Sequence, residues 1–242
     1  MFNPDAPIKD YIPLSTHVSP TVIKTVGGDY LLVWRLEGLP FVGREEWEIE
    51  HRHNTFNRLL QTLRAPDFVN VAFWVHDVRR RGRIRDQSRF TQRFNQGMSD
   101  AYYESLSSQK IMNNELYLTM IYRPVVSGKR FAEKTSDAGR LKAQQDEAVQ
   151  KLQELATNLE AVLKDYAPYR LGMYEAANGI VFSEALEFFG YVLNHIDEPV
   201  PVLPAPVPDY LPVSRHLFSA QSGDFAVTTP SGESHHGAIL NL

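Results

Sequence analysis

The glycine pair Gly27-Gly28, followed by Asp29, constrains this chain most. Runs rich in β-formers lie on both sides, at residues 21–26 and 30–37. Glycine tolerates the positive φ of a tight turn, so the segment predicts a β-hairpin. A hairpin fixes one antiparallel strand pair early, and a purely parallel sheet is thereby excluded. Ahead of it, residues 1–20 hold Pro4, Pro7 and Pro13, show no period, and read as an extended N-terminal arm.

The later segments mix helical and strand periods. Within residues 44–63, Ile49, Phe56, Leu59, Leu60 and Leu63 recur at helical spacing, and Pro66 stops the helix. Val71-Ala72-Phe73-Trp74-Val75 is continuously apolar and predicts a buried central strand that runs out into Arg79-Arg80-Arg81. Phe90, Phe94, Met98, Tyr102 and Leu106 fall four apart, which predicts a helix packed into the core. Residues 115–123 alternate as a strand closed by Pro124, and a helix capped by Ser136 extends to about Asp165. Its stripe is Leu141, Val149, Leu152, Leu155, Leu159 and Val162. Residues 169–175 read as a strand. Ser183 caps a last helix with Leu186, Phe189, Val192, Leu193 and Ile196 inward.

Six prolines then occupy positions 199–212, an extended connector, and residues 225–228 and 237–241 read as a short strand pair. The chain stops at Leu242 directly after Ala238-Ile239-Leu240, as if cut from something longer. The expected division is an arm at 1–20, a core domain at 21–198, and a connector with strand pair at 199–242. The expected class is α+β, a mixed or mostly antiparallel sheet with helices packed on one face.

Composition removes several kinds of chemistry. With no cysteine, a disulfide scaffold, a thiolate zinc site and a cysteine nucleophile are excluded. A net charge of −4 does not fit a general nucleic-acid or membrane-surface binder. The start lacks a basic and apolar signal sequence, and no apolar run reaches the ~18–20 residues of a spanning helix. The expected location is therefore the cytoplasm, with membrane contact made through partners and no direct insertion.

No catalytic, metal or cofactor-binding residue is assigned. In Val126-Ser127-Gly128-Lys129-Arg130, a Walker A loop would need glycine at 123 and Ser or Thr at 130, and both are arginine. His51 and His53, and His235 and His236, diverge at their spacings, while His17, His76, His195 and His216 stand alone. His76-Asp77, at the end of an apolar strand, keeps open a stand-alone cytoplasmic hydrolase, although no paired nucleophile accompanies it. The local oddity is basic. Arg79, Arg80, Arg81, Arg83, Arg85, Arg89 and Arg93 face a single acid, Asp86, within fifteen residues. A solvated loop, a docking surface for an acidic partner and a single-strand nucleic-acid site all fit that pattern. Arg79, Arg80, Arg81, Arg83 and Arg85 are the candidate partner-binding residues.

Ile12-Pro13-Leu14-Ser15-Thr16-His17-Val18, the Gly27-Gly28-Asp29 turn and Trp34-Arg35-Leu36-Glu37-Gly38-Leu39-Pro40-Phe41 resemble the start of the VirB/TrbE/CagE-type ATPase of bacterial type IV secretion systems. Trp74-Val75-His76-Asp77-Val78-Arg79-Arg80, Asn114-Glu115-Leu116-Tyr117-Leu118-Thr119 with Arg123-Pro124, and residues 186–194 followed by Pro199-Val200-Pro201 keep the same order. In that family this region is the amino-terminal domain, and a RecA-like motor with Walker motifs follows. The resemblance implies a non-catalytic assembly or docking domain of a motor that energises channel assembly and transport of DNA or protein. It implies ATP and magnesium only in the absent C-terminal motor. The partners it implies are inner-membrane subunits of the channel, further copies of the ATPase and other secretion ATPases.

Overall fold

The computed structural model describes residues 7–38, 43–62, 70–81, 89–108, 112–124, 138–212, 216–219, 223–228, 232 and 234–238. Its main sheet has six strands, all paired antiparallel. Strands β1 (Leu14–His17), β2 (Ile23–Thr25) and β3 (Tyr30–Leu36) come first, so part of the expected arm is already sheet. Asp29 closes the β2–β3 turn, with Gly28 at φ 85° and the Asp29 backbone N–H donating to Thr25 Oγ1 at 2.9 Å. Helix α1 (Glu46–Thr62), strand β4 (Val71–Arg81), helix α2 (Arg93–Ser108) and strand β5 (Met112–Tyr122) follow. Helix α3 (Ala138–Leu163) leads to β6 (Pro168–Arg170).

The spatial order is β1-β2-β3-β5-β4, and β6 also pairs with β3. One edge of β3 is thus shared: β2 takes Tyr30 and Leu31, and β6 takes Trp34, Arg35 and Leu36. That makes β3, not β4, the central strand. Both carry five consecutive apolar residues, but β4 lies at the sheet's margin, with Trp74 52% and Val75 66% exposed. A continuous apolar run shows that neither face of a strand is polar; it does not show which strand the chain surrounds.

The faces of β3 alternate, as strand geometry demands. Tyr30, Leu32, Trp34 and Leu36 pack with Leu152, Leu155, Leu159 and Leu163 of α3. Leu31 and Val33 face the other way, toward Ala185, Leu186 and Phe188 of α4 (Glu184–Asn194) and toward Val207 and Leu211 of the proline-rich stretch. The α+β class and the antiparallel sheet agree with the sequence reading. The helices, however, cover both faces, α3 on one and α4 on the other, because β3 is apolar on both. The expected strand at 169–175 is split at Leu171-Gly172. Its second part, β7 (Met173–Glu175), pairs instead with β8 (Val181–Ser183).

Ser183 caps α4 as expected, its Oγ accepting from the Leu186 N–H at 3.2 Å. Val192, expected inward, is exposed, while Leu193 and Phe189 are partly buried. Residues 199–212 are extended except for a 3-10 turn at Val207–Asp209, and they are bound to the core. Ser183 N–H donates to Val200 O, Val202 N–H to Val181 O, and Asn194 Nδ2 to Leu211 O. The expected terminal strand pair exists as β10 (Asp224–Thr228) and β11 (Ser234–Ala238), with β9 (His216–Ser219) added on β10.

Candidate docking surface

Strands β4 and β5 outrun the sheet. The β3–β5 ladder ends at Leu36↔Leu116, whereas β4–β5 continues through Val78↔Glu115, Arg79↔Asn114, Arg80↔Asn113 and Arg81↔Met112. Those last four pairs form a two-stranded ribbon beyond the core, with Met112, Asn113 and Asn114 exposed on one strand and Arg79 on the other. The sequence alone leaves a solvated loop open for these arginines. The ladder instead holds Arg79, Arg80 and Arg81 in a fixed extended backbone. Arg83 and Arg85 lie outside the described residues.

A second exposed surface is apolar. Helix α2 presents Phe94, Met98 and Tyr102 at 76%, 62% and 61% exposure, and Phe90 precedes them, also exposed. Their four-residue spacing is helical, as predicted, but the stripe does not enter the core. It borders an open groove of about 430 Å³ lined by Phe90, Asn95, Met98, Ser99, Tyr102 and Tyr103. A cluster of exposed large apolar side chains on one helix face marks a contact surface rather than a solvated one.

His76 and Asp77 do not form a site. Successive residues of a strand face opposite ways, and His76 meets the Phe188 ring edge-on at 5.2 Å while Asp77 is exposed. Burial pushes the His76 imidazole below its ordinary range. A Ser–His contact exists elsewhere: His17 Nε2 lies 2.8 Å from Ser183 Oγ, with His17 Nδ1 3.3 Å from the Ser19 carbonyl. The two are 166 residues apart, so no local spacing announces them. Ser183 is fully buried and its Oγ already caps α4, so the pair fastens β1 to the helix and meets no substrate. Burial also lowers the His17 pKa, against the opposing pull of the Ser19 carbonyl.

The remaining polar clusters knit elements together. Glu160 of α3 accepts from Trp34 Nε1 at 2.6 Å and from Arg170 Nε at 2.8 Å, tying α3 to β3 and β6. Glu187 accepts from the Tyr174 hydroxyl at 2.6 Å, a bond that pushes the tyrosine pKa up to about 12. Arg123 grips Asp29 through both carboxylate oxygens, at 2.9 and 2.8 Å, and so links the end of β5 to the glycine turn. Among the described residues no three His, Asp or Glu side chains are grouped to hold a metal, and no helix is long and apolar enough to cross a membrane.

The family model for the type IV secretion system ATPase VirB4/TrbE N-terminal domain matches residues 21–130. Residues 21–130 are a VirB4/TrbE-type N-terminal domain segment. The chain is 34% identical over 219 residues to the type IV secretion system protein virB4 of Brucella suis, covering 86% of this chain and 26% of that protein. It is 29% identical over 230 residues to PtlC of Bordetella pertussis, covering 92% of this chain and 27% of that relative. The virB4 protein of Bartonella quintana is 28% identical over 219 residues, covering 88% and 27%. The chain therefore spans about a quarter of the length of the relatives it matches. The matched segment contains β2 through β5, hence the whole ribbon and the groove along α2.

Proposed function

We propose that this VirB4/TrbE-type domain is a non-catalytic docking domain, joining a secretion ATPase to the inner-membrane subunits of its channel and to further copies of the ATPase. In this reading it works on the cytoplasmic side of the inner membrane, held there by proteins rather than by lipid. ATP and magnesium belong to a motor domain elsewhere in the full-length protein, which energises assembly of the channel and transport of DNA or protein.

The observation that carries the reading is the exposed surface of β4 and α2. A basic ribbon projects from the sheet, and helix α2 exposes apolar side chains without cover from the described core. Arginine's planar fork pairs with carboxylates through two hydrogen bonds, and exposed aromatic and methionine side chains supply the apolar part of an interface. A basic β-ribbon also fits a nucleic-acid groove, and that is the rival.

The test replaces Arg79, Arg80 and Arg81 together by Ala in the full-length ATPase. Co-purification with the channel's inner-membrane subunits and affinity for a random single-stranded oligonucleotide are then measured. The expected outcome is loss of co-purification, with oligonucleotide affinity weak before and after. Intact co-purification together with lost oligonucleotide affinity overturns docking and favours the nucleic-acid reading.

A further inference from the structure

The free side of β4 has a more specific use. Strand β4 runs for 11 residues and pairs with β5 along its whole length, and its other edge has no partner among the described strands. In an antiparallel ladder the backbone N–H and C=O groups alternate between the two edges, so about half of those in β4 point away from β5. Proteins usually guard such an edge with charges or proline along it. Here the charges are Asp77 and, at one end, Arg79, Arg80 and Arg81, while residues 71–75 are apolar and include the exposed Trp74 and Val75. Trp74 and Val75 lie on opposite faces of the sheet, 52% and 66% exposed. A strand added there would find an apolar neighbour on each face.

We propose that this edge takes up an extended segment of a partner protein as an additional antiparallel strand. Its apolar residues would lie beside Trp74 and Val75, and its carboxylates beside Arg79, Arg80 and Arg81. The proposal rests on the docking reading above and adds its binding mode. Orientation follows from geometry: an antiparallel neighbour begins where β4 ends, so the acidic residues belong at the N-terminal end of the segment. Charge selects the partner. Seven arginines against one acid in residues 79–93 call for carboxylates from outside. A second copy of β4 would not supply them. Paired antiparallel about His76, it would set Arg79, Arg80 and Arg81 against Phe73, Ala72 and Val71.

The experiment titrates the 242-residue chain with a labelled synthetic peptide, a run of glutamates followed by alternating valine and threonine. Saturable binding is expected, with affinity roughly tenfold weaker for the variant carrying Arg79→Ala, Arg80→Ala and Arg81→Ala, since three cross-strand ion pairs are lost. The peptide N-methylated on alternate residues should lose binding in one phase and keep it in the other, because only one phase blocks the hydrogen bonds made to β4. Reversing the peptide sequence should weaken binding. If N-methylation in either phase changes nothing while the arginine variant still weakens binding, strand addition is wrong and docking by another geometry survives. If the arginine variant binds as well as the original, the placement of the acidic end is wrong. If a single-stranded oligonucleotide displaces the peptide and is itself lost on the arginine change, both readings fall. The methylated peptides leave the protein unaltered, so their result does not depend on how the variant folds.

Discussion

Helix α3 lays Leu152, Leu155 and Leu159 against the sheet, where almost none of their surface meets water, while helix α2 turns Phe94, Met98 and Tyr102 outward. Both stripes repeat at helical spacing and both contain large apolar side chains. The difference is what lies opposite. Helix α3 meets β3 and β5, strands that offer Leu32, Trp34, Leu118 and Met120 on one face. Helix α2 leaves its stripe uncovered. Periodicity therefore specifies a helix and the side it wishes to bury, and says nothing of whether the burying surface belongs to the same chain. An isolated helix of this length is marginal without tertiary support, so α2 should gain order when a partner covers it.

The sharpest way to break this comparison is to truncate one residue of each stripe. Leu155→Ala should lower the unfolding free energy by about 2–5 kcal/mol, through lost burial and the cavity left behind. Met98→Ala should change it by about 0.5 kcal/mol or less, as exposed substitutions do. Urea unfolding of the two variants decides it. An equal loss in both would mean that α2 is packed in solution.

A smaller effect separates the polar fastenings of the two regions. Glu160→Ala leaves the Trp34 N–H and the Arg170 guanidinium without their acceptor beneath α3 and should cost about 1–3 kcal/mol. Arg123→Ala breaks the exposed pair with Asp29 and should cost clearly less, because solvent and salt already screen it. An Arg123→Ala loss as large as that of Glu160→Ala would show that the glycine turn depends on its arginine clasp.

The smallest expected effect is on pH dependence. Burial holds His17 and His76 below the ordinary value of 6.5 in the folded chain. The unfolded chain then binds more protons as pH falls past that value. Their contribution is fully present above about pH 6.5 and is lost as pH drops through the folded pKa values. The unfolding midpoint should therefore fall between about pH 7.5 and pH 5, and His17→Gln should flatten the slope. An unchanged slope would move the acid sensitivity to the carboxylates.

Much of the fold was legible because local signals and tertiary context agree where the chain buries itself. Gly27-Gly28-Asp29 is the turn it reads as, and Ser183 caps α4. The apolar stripe of α3 packs from Val149 to Val162, while Leu141 at its start is exposed. Legibility failed where context decides. Val71 to Val75 reads like Tyr30 to Trp34, yet only the second run is surrounded, because β6 returns from far along the chain to flank β3. The arginines were visible as a cluster, but their place on a ladder was not, since composition there favours a loop. Trp74, Val75 and the α2 stripe carry no sequence signal that separates an interface from a core. The contact of His17 with Ser183 joins residues too distant for any spacing rule.

The shared edge of β3 also sets a timetable. Trp34, Arg35 and Leu36 are synthesised long before Pro168, Tyr169 and Arg170, the residues that close their side of the strand. At ribosomal speeds of about 5–20 residues per second, that interval lasts on the order of ten seconds. Throughout it β3 has half an edge open, a template for wrong pairing. A nascent chain halted before Arg170 should thus be held by chaperones more strongly than one that has completed β6.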